Sequence, residues 1–157
     1  MSTPTTTPWP PKRILVPVDF GEPSVTALRY AVEMARTTGA AITALHVGAP
    51  IPPIYGPLPE LTGVQAEIWT DMLGQREALL KKELEALVAP LRSSTVTIEV
   101  SWAEGEPADA IGAAALDLSA DLVIMGSHGR TGLRRALLGS VAERTARHCT
   151  RPVLILR

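Results

Sequence analysis

The sequence predicts an α/β domain: an open five-stranded parallel sheet with helices on both faces, a Rossmann-like arrangement. Along the 157 residues, short apolar runs alternate four times with segments of helical periodicity, and a fifth apolar run ends the chain. This alternation is typical of parallel sheets. The hydrophobic content of 46 % and the length together suit a single domain with one substantial core.

The N-terminal segment 1–11, MSTPTTTPWPP, is expected to be a disordered tail, and residues 12–157 the single domain. The segment is rich in proline and threonine. It lacks the basic start and the apolar stretch of a signal peptide, and no apolar run in the chain reaches membrane-spanning length. Cys149 is the single cysteine, so no disulfide can form within the chain. We therefore expect a cytoplasmic protein that does not bind membranes.

The first two strands are predicted from RILVPV (13–18) and AITALHV (41–47), which are short and rich in branched residues. Between them, apolar residues from Ala27 to Ala35 recur at helical spacing, and Gly39 is expected to end that helix. Pro23 suits the first turn of the same helix.

A proline-rich segment, 48–60, follows the second strand and cannot form regular structure. A long helix is predicted over about 63–90. Its apolar residues are expected to share one face: Val64, Ile68, Met72, Leu80, Leu84, Leu87 and Val88.

The second half of the chain predicts three strands and two helices. STVTIEVSW (94–102) alternates between apolar and polar residues, as an edge strand with one wetter face does. GEPADAIGAAALDL (105–118) contains a helix, and DLVIM (121–125) is a buried strand. A last helix runs to Pro152, and VLIL (153–156) forms the final strand.

The strand order 3-2-1-4-5 is favoured by short, right-handed connections. This order places a topological switch point between strands 1 and 4, and ligands of such sheets bind outside the carboxyl ends of the strands there. Pro17-Val18-Asp19 and Met125-Gly126 form those ends. The glycine-rich stretch GSHGRTGLRRALLGS (126–140) therefore begins where the fold predicts a ligand.

The chemistry of this stretch suits an anion. Glycine lets the backbone approach a phosphate closely and adopt a positive φ, so that its N–H groups can point at the anion. A helix beginning near Gly139-Ser140 adds the positive end of a helix dipole. Ser140 could cap that helix or donate its hydroxyl to a phosphate, and Arg130 could neutralise charge. The stretch has neither a Walker A lysine nor the G-x-G-x-x-G spacing. The glycines alone leave a phosphate site and a plain flexible loop open; their position favours the phosphate site.

The same residues resemble a known family. Gly126-x-x-Gly129, followed after nine residues by Gly139-Ser140, is similar to the G-2x-G-9x-G-[S/T] motif of the universal stress protein family. The resemblance runs from Lys12 to Arg157 and includes ILVPVDF, ALHV, ADLVIMGSHGRTGL, LLGSVAERTARH and PVLIL. The intact motif resembles that of the ATP-binding members. It implies a regulatory, ATP-binding protein of the stress response.

The resemblance also implies roles for individual residues. Asp19 would face the ribose or a Mg²⁺ or Mn²⁺ ion bound with the nucleotide. The adenine would lie against Val47, with Pro17, Val18 and Met125 as apolar neighbours. Gly126, Gly129, Gly139, Ser140 and Val141 would hold the phosphates, and Ser127 and Arg130 complete the predicted cofactor-binding set. Two simpler roles stay open: Asp19 as a cap of the first helix, and Val47 and Met125 as plain core residues.

Family members commonly pair their last strands, so the resemblance predicts a homodimer through residues 153–156. An apolar edge strand left exposed there would carry an aggregation risk, which supports the same prediction. The proline-rich segment 48–60 matches no fixed pattern of the family. Arg130–Leu138 is expected to be a flap whose order depends on the ligand.

Other chemistries are less well supported. Ser127 and His128 could form a catalytic dyad, but adjacent side chains in a loop rarely face each other. The three histidines are too scattered for a metal site, and His46 is expected to be a satisfied core histidine. A net charge of −1 and a pI near 6.3 give no reason to expect nucleic-acid binding.

Two alternatives to the regulatory ATP-binding dimer stay open. A slow ATPase would use the same site and would need a water-positioning base, for which Asp19 and His128 are the candidates. A nucleotide-free dimeric scaffold would not depend on the glycine motif at all.

Overall fold

Residues 9–48, 63–128 and 138–157 are described by the computed structural model, without the side chains of residues 65, 66 and 69. Within these ranges, strands and helices alternate as predicted. The strands are β1 (Arg13–Pro17), β2 (Ala41–Gly48), β3 (Ile98–Glu104), β4 (Leu122–Gly126) and β5 (Val153–Leu156). The helices are α1 (Glu22–Thr38), α2 (Val64–Val88), α3 (Pro107–Asp117) and α4 (Ser140–His148), with a short 3₁₀ turn at Ala89–Leu91.

The sheet has the order β3-β2-β1-β4-β5, and each pair of neighbouring strands is parallel. The predicted fold class and strand order are therefore confirmed. β3 is an edge strand, as its alternating pattern predicted. β1 pairs with β2 on one side and β4 on the other, so the switch point lies where β1 and β4 end.

Two apolar cores lie on the two faces of the sheet, because successive strand residues point to opposite faces. Val16 belongs to the core under α1 and α2, and its neighbour Leu15 belongs to the core under α3 and α4. Both side chains are fully buried. This alternation confirms the prediction that helices cover both faces.

Helix α1 has the ends that its sequence predicts. Pro23 stands in the first turn, where a missing backbone N–H costs nothing. Gly39 ends the helix in the left-handed conformation with φ of 69°, and its N–H donates to the Ala35 carbonyl over 2.8 Å. Glycine adopts this conformation without steric cost.

The prediction that the apolar residues of α2 share one face is wrong. Val64, Ile68 and Met72 are 68 %, 56 % and 58 % exposed, whereas Leu84 and Val88 are buried. The reason is geometric: at 3.6 residues per turn, each step of four residues rotates the side chain by about 40°. From Val64 to Leu84 this drift reaches roughly 200°, so the two ends of the pattern lie on opposite sides of the helix.

Strand β3 begins later than predicted, at Ile98 instead of residue 94. Before it, Ser93 and Val96 exchange backbone hydrogen bonds of 3.2 and 3.4 Å in a local turn. Val96 is buried although it lies outside the strand. Val96 therefore fits the alternating apolar pattern because it is buried, although it lies in a turn and not in a strand.

Asp121 joins the starts of β1 and β4. Its side chain is 6 % exposed, and its Oδ2 accepts from the backbone N–H groups of Lys12 and Arg13 at 2.8 and 2.9 Å. A buried carboxylate with two charge-assisted hydrogen bonds is well satisfied. This residue fixes the end of the sheet opposite to the switch point.

Three predicted segments lie partly or wholly outside the described residues. They are the N-terminal tail 1–11, of which residues 1–8 are not described, the proline-rich segment 48–60 and the flap Arg130–Leu138. The division into tail and domain stays a prediction. Across the described ranges, no helix combines the length and apolar character needed to cross a membrane.

Candidate functional site

A cavity of about 330 Å³ opens at the carboxyl ends of β1 and β4. This is the switch point at which sheets of this order bind ligands. The volume lies at the lower end of the range of roughly 300–1,000 Å³ that is typical of small-molecule sites. The lining combines strand ends with the first turns of three helices, α1, α3 and α4.

The structure brings ten of the twelve predicted cofactor-binding residues together around this cavity. They are Pro17, Val18, Asp19, Val47, Met125, Gly126, Ser127, Gly139, Ser140 and Val141. The other two, Gly129 and Arg130, lie outside the described residues. The cavity is thus formed by residues that are far apart in the sequence. The fold prediction placed Pro17-Val18-Asp19 and Met125-Gly126 at this edge, and the glycine-rich stretch and the family resemblance added the others.

Gly126, at the end of β4, is required by close packing. A Cβ at this position would lie 2.8 Å from the carbonyl carbon of Pro23 and 2.9 Å from its oxygen. The first turn of α1 therefore packs directly on the backbone of β4. This close contact is with α1 and not with a phosphate, for which the sequence predicts glycine here; the phosphate role of Gly126 stays a prediction.

Gly139 connects the end of β4 to α4. Its N–H donates to the Ser127 carbonyl over 2.7 Å, and a Cβ here would lie 3.0 Å from the same oxygen. Its φ of −66° and ψ of 151° are extended. A positive φ therefore does not explain the glycine at this position. The close contact with the Ser127 carbonyl does.

The prediction that Ser140 could cap α4 is wrong, because the N-cap residue is Gly139 and the helix begins at Ser140. No side chain caps this N-terminus in the described part of the chain. The first helical hydrogen bond runs from the Glu143 N–H to the Gly139 carbonyl over 2.8 Å. The earlier N–H groups of the turn have no acceptor within the helix. Ser140, Val141 and Ala142 line the cavity, so its wall carries the positive end of a helix dipole.

Asp19 follows β1 and lines the same cavity, half-buried. Its Oδ1 accepts from the Gly21 N–H over 2.9 Å, and its own N–H donates to the Ser24 hydroxyl over 3.3 Å. Helix α1 has Gly21 as its N-cap, without a side-chain cap. The simpler role of Asp19, a cap of α1, is therefore wrong. Asp19 instead closes a tight local turn beside the cavity.

The side chains of Ser127 and His128 do contact each other, contrary to the prediction for adjacent loop residues. The Ser127 Oγ lies 2.8 Å from the His128 Nδ1. Ser127 is buried and His128 half-buried at the cavity wall. The pair is possible because Ser127 is held on both sides: its N–H donates to the Leu156 carbonyl over 2.8 Å, and its carbonyl accepts from Gly139.

Helix α3 supplies part of the wall that the sequence prediction missed. Glu106 is its N-cap and accepts from the Ala108 and Asp109 N–H groups at 3.1 and 3.3 Å, so its carboxylate stabilises the first turn of the helix. Arg144 of α4 pairs with Glu106 at 3.0 Å. The missed cavity residues are Ser24, Leu45, Pro107, Ile111, His128 and Ala142.

Periodicity could have found one of these residues. Leu45 lies two positions before Val47 on β2 and so points to the same face. The described residues contain no group of three or more histidine, cysteine or acidic side chains that could hold a metal ion. Asp19 is the one carboxylate among the described lining residues.

Comparisons with known proteins agree with the fold. The sequence profile of the Universal stress protein family matches residues 10–157. Universal stress protein MJ0531 of Methanocaldococcus jannaschii is 32 % identical over 150 residues, which span 93 % of this chain and 82 % of that relative.

Solved structures show the same architecture. That of protein MJ0577 from the same organism has a TM-score of 0.77 and 27 % identity, and the match covers 92 % of this chain and 94 % of the other. A universal stress protein in complex with cAMP and one from Archaeoglobus fulgidus in complex with dAMP have TM-scores of 0.62 and 0.59. Their identities are 21 % and 23 %, over 94 % and 92 % of this chain and 97 % of each of theirs.

Proposed function

Because the chain belongs to the universal stress protein family, we propose that it is an ATP-binding regulatory protein of the stress response. One observation carries the proposal: the uncapped first turn of α4 faces a cavity at the switch point of the sheet. Such a turn presents N–H donors and a positive dipole end, which suit phosphate oxygens. The cAMP and dAMP complexes of proteins with this fold support an adenine nucleotide as the ligand.

The phosphates would lie against Gly139, Ser140 and Val141. Gly139 has no side chain to shield the helix end, and the Ser140 hydroxyl adds a donor within the same turn. Gly126, at the end of β4, lines the same cavity. Gly129 and Arg130 belong to the same proposal through the family motif.

The nucleoside would occupy the apolar part of the cavity. Val47, Met125 and Pro17 line it, and these side chains suit the flat faces of a base. Asp19 lies beside them and can accept hydrogen bonds from ribose hydroxyls, as acidic residues do in nucleotide-binding α/β folds.

A divalent cation would reach the site with the nucleotide. Mg²⁺ in nucleotide sites is usually held by one or two carboxylates together with phosphate oxygens and water. The single carboxylate of Asp19 fits that pattern, whereas a resident metal would need more protein ligands. When bound, Mg²⁺ or Mn²⁺ would neutralise part of the phosphate charge.

The proposal includes a homodimer through β5. Val153–Leu156 pairs with β4 along one edge, and its four apolar side chains are all half-buried. Pairing with β5 of a second copy would cover them and satisfy the outer edge. Sedimentation at micromolar concentration should show a dimer; a monomer there would contradict this part of the proposal.

Calorimetric titration with ATP and Mg²⁺ tests the main proposal. Asp19→Ala and Gly129→Ala should weaken binding. Asp117→Ala is the matched control, because Asp117 is exposed at the far end of α3 from the cavity. Absence of binding at millimolar nucleotide with metal would refute the proposal. Unchanged affinity in Gly129→Ala would contradict the part of the proposal that rests on the glycine motif, whereas the nucleotide-free scaffold predicts no binding in either protein. Mass spectrometry of ligand released from purified protein distinguishes ATP from other adenine nucleotides.

A slow ATPase is a second candidate, favoured by the position of His128 at the cavity wall. An imidazole there could orient a water for attack on the terminal phosphate. An ATPase activity that copurifies with the protein and disappears in both His128→Ala and Asp19→Ala would support it. Release that persists in both variants would identify a contaminant.

A further inference from the structure

Three aromatic side chains form a row on the sheet face that carries α1 and α2, which is the face opposite to Val47. The row crosses the carboxyl ends of three strands. The ring centroids of Phe20 and His46 are 4.8 Å apart, and those of His46 and Trp102 are 5.2 Å apart. The cavity lining does not include these three residues, so the proposed function leaves them unexplained.

His46 is anchored to the end of β1. Its Nδ1 lies 2.6 Å from the Val18 carbonyl oxygen. A carbonyl can only accept, so Nδ1 carries the proton and donates. Val18 is buried, and its own N–H donates to the Leu45 carbonyl over 2.7 Å. A buried carbonyl needs a partner. The imidazole provides one at the point where β1 separates from β2 toward Asp19.

The turn after Asp19 has an unfavourable backbone conformation. Phe20 has φ of 64°, which is uncommon for a bulky residue and persists only when the surroundings hold it. The Phe20 ring packs against His46 and the core under α1. This turn brings the Gly21 N–H to the Asp19 Oδ1. The contacts of the Phe20 ring therefore help to maintain the turn that orients the Asp19 carboxylate.

Trp102 supports His46 from the other side. It pairs with His46 in the register of β2 and β3. A Cβ on Gly48 would overlap the Trp102 ring, so glycine at this position leaves room for the indole. Phe20 and Trp102 thus both contact the imidazole of His46, and Gly48 leaves room for the indole that does so.

We propose that His46 is a positioning residue for Asp19: from the opposite face of the sheet it fixes Val18 and Phe20, and so sets the direction of the Asp19 carboxylate at the cavity. The inference rests on the proposed function only in treating Asp19 as a contact of the nucleotide. The simpler role, which the experiments below test against this one, is that the half-buried His46 only fills space at the end of the sheet.

Two variants separate the hydrogen bond from the ring. His46→Asn keeps an N–H donor near the place of Nδ1 but removes the ring, and His46→Phe keeps a ring but removes the donor. We expect His46→Phe to weaken Mg²⁺–ATP binding about 10-fold, since a buried carbonyl loses its partner, and His46→Asn to recover most of the affinity. If His46 acts through Asp19, the two effects are not additive. In an Asp19→Ala background, His46→Phe should therefore change affinity by less than about 2-fold. The full 10-fold effect in that background would overturn the proposal.

Amide hydrogen exchange gives a readout that needs no nucleotide. The Gly21 N–H, which donates to Asp19, should exchange about 10-fold faster in His46→Phe and near the wild-type rate in His46→Asn. The Gly39 N–H, which caps α1, is the control and should be unchanged. An unchanged Gly21, or equal acceleration of Gly39, would overturn the positioning role. Failure of the wild-type protein to bind ATP would refute the proposed function, and Gly21 exchange would still decide the role of His46.

Discussion

Replacing Gly126 by alanine should destabilise the protein, because the new methyl group has no room. It would lie 2.8 Å from two carbon atoms of Pro23, whereas carbon atoms pack best at about 3.5–4.0 Å. The first turn of α1 or the end of β4 must therefore move by roughly 0.7 Å or more. Overpacking of this kind costs about 1–3 kcal/mol. For a chain of this length, the loss corresponds to a fall in Tm of about 2–12 °C.

Gly112→Ala is the matched control, with the opposite expected sign. Gly112 lies inside α3, and a Cβ there would meet nothing within 4 Å. Alanine should stabilise the helix by about 0.5–1 kcal/mol. Thermal and urea unfolding of both variants would measure the difference. A change below about 0.5 kcal/mol for Gly126→Ala, or shifts of the same sign in both variants, would refute the packing argument.

Three further predictions follow from the packing and charge of single residues. Asp121→Ala removes the charged acceptor of two part-buried N–H groups and should cost about 1–3 kcal/mol in urea unfolding; a neutral result would contradict the role of Asp121. Leu84→Ala should cost about 2–5 kcal/mol, but Ile68→Ala less than about 0.5, because only Leu84 is buried. Equal costs would mean that both ends of α2 are covered. The hydrogen bond from Arg92 lowers the pKa of the Glu85 carboxyl. The small contribution of this pair to folding stability is therefore present at neutral pH and is lost as the pH falls through the pKa of Glu85 in the folded protein. NMR titration should show a higher Glu85 pKa in Arg92→Gln; an unchanged pKa would contradict this pairing.

The sequence predicts the fold well because its pattern is redundant. Strand composition, helical spacing and turn residues all indicate the same alternation, and few strand orders satisfy the rules for parallel sheets. Asp19 and Gly126 could be placed at one edge for the same reason. Asp19 follows the predicted strand 1 and Gly126 ends strand 4, and these two strands flank the switch point. Their proximity can therefore be predicted without knowing any side-chain contact.

Details that depend on contacts between distant residues could not be predicted. Gly139 and Ser140 are both acceptable caps for α4, and the choice depends on the hydrogen bond from Gly139 to Ser127. The anchoring of Val18 by His46 joins residues 28 positions apart. Its donor lies on the sheet face opposite to the cavity, where a search for ligand contacts would not look.

The uncapped turn of α4 limits the distance over which the cavity attracts anions. Among the described residues that line the cavity there is no lysine or arginine, so this part of its attraction for anions comes from backbone dipoles. A dipole field weakens with distance faster than that of a full charge, and the helix-end effect is confined to about one turn. The described wall of the cavity therefore attracts anions at contact range and adds little to any attraction over longer distances.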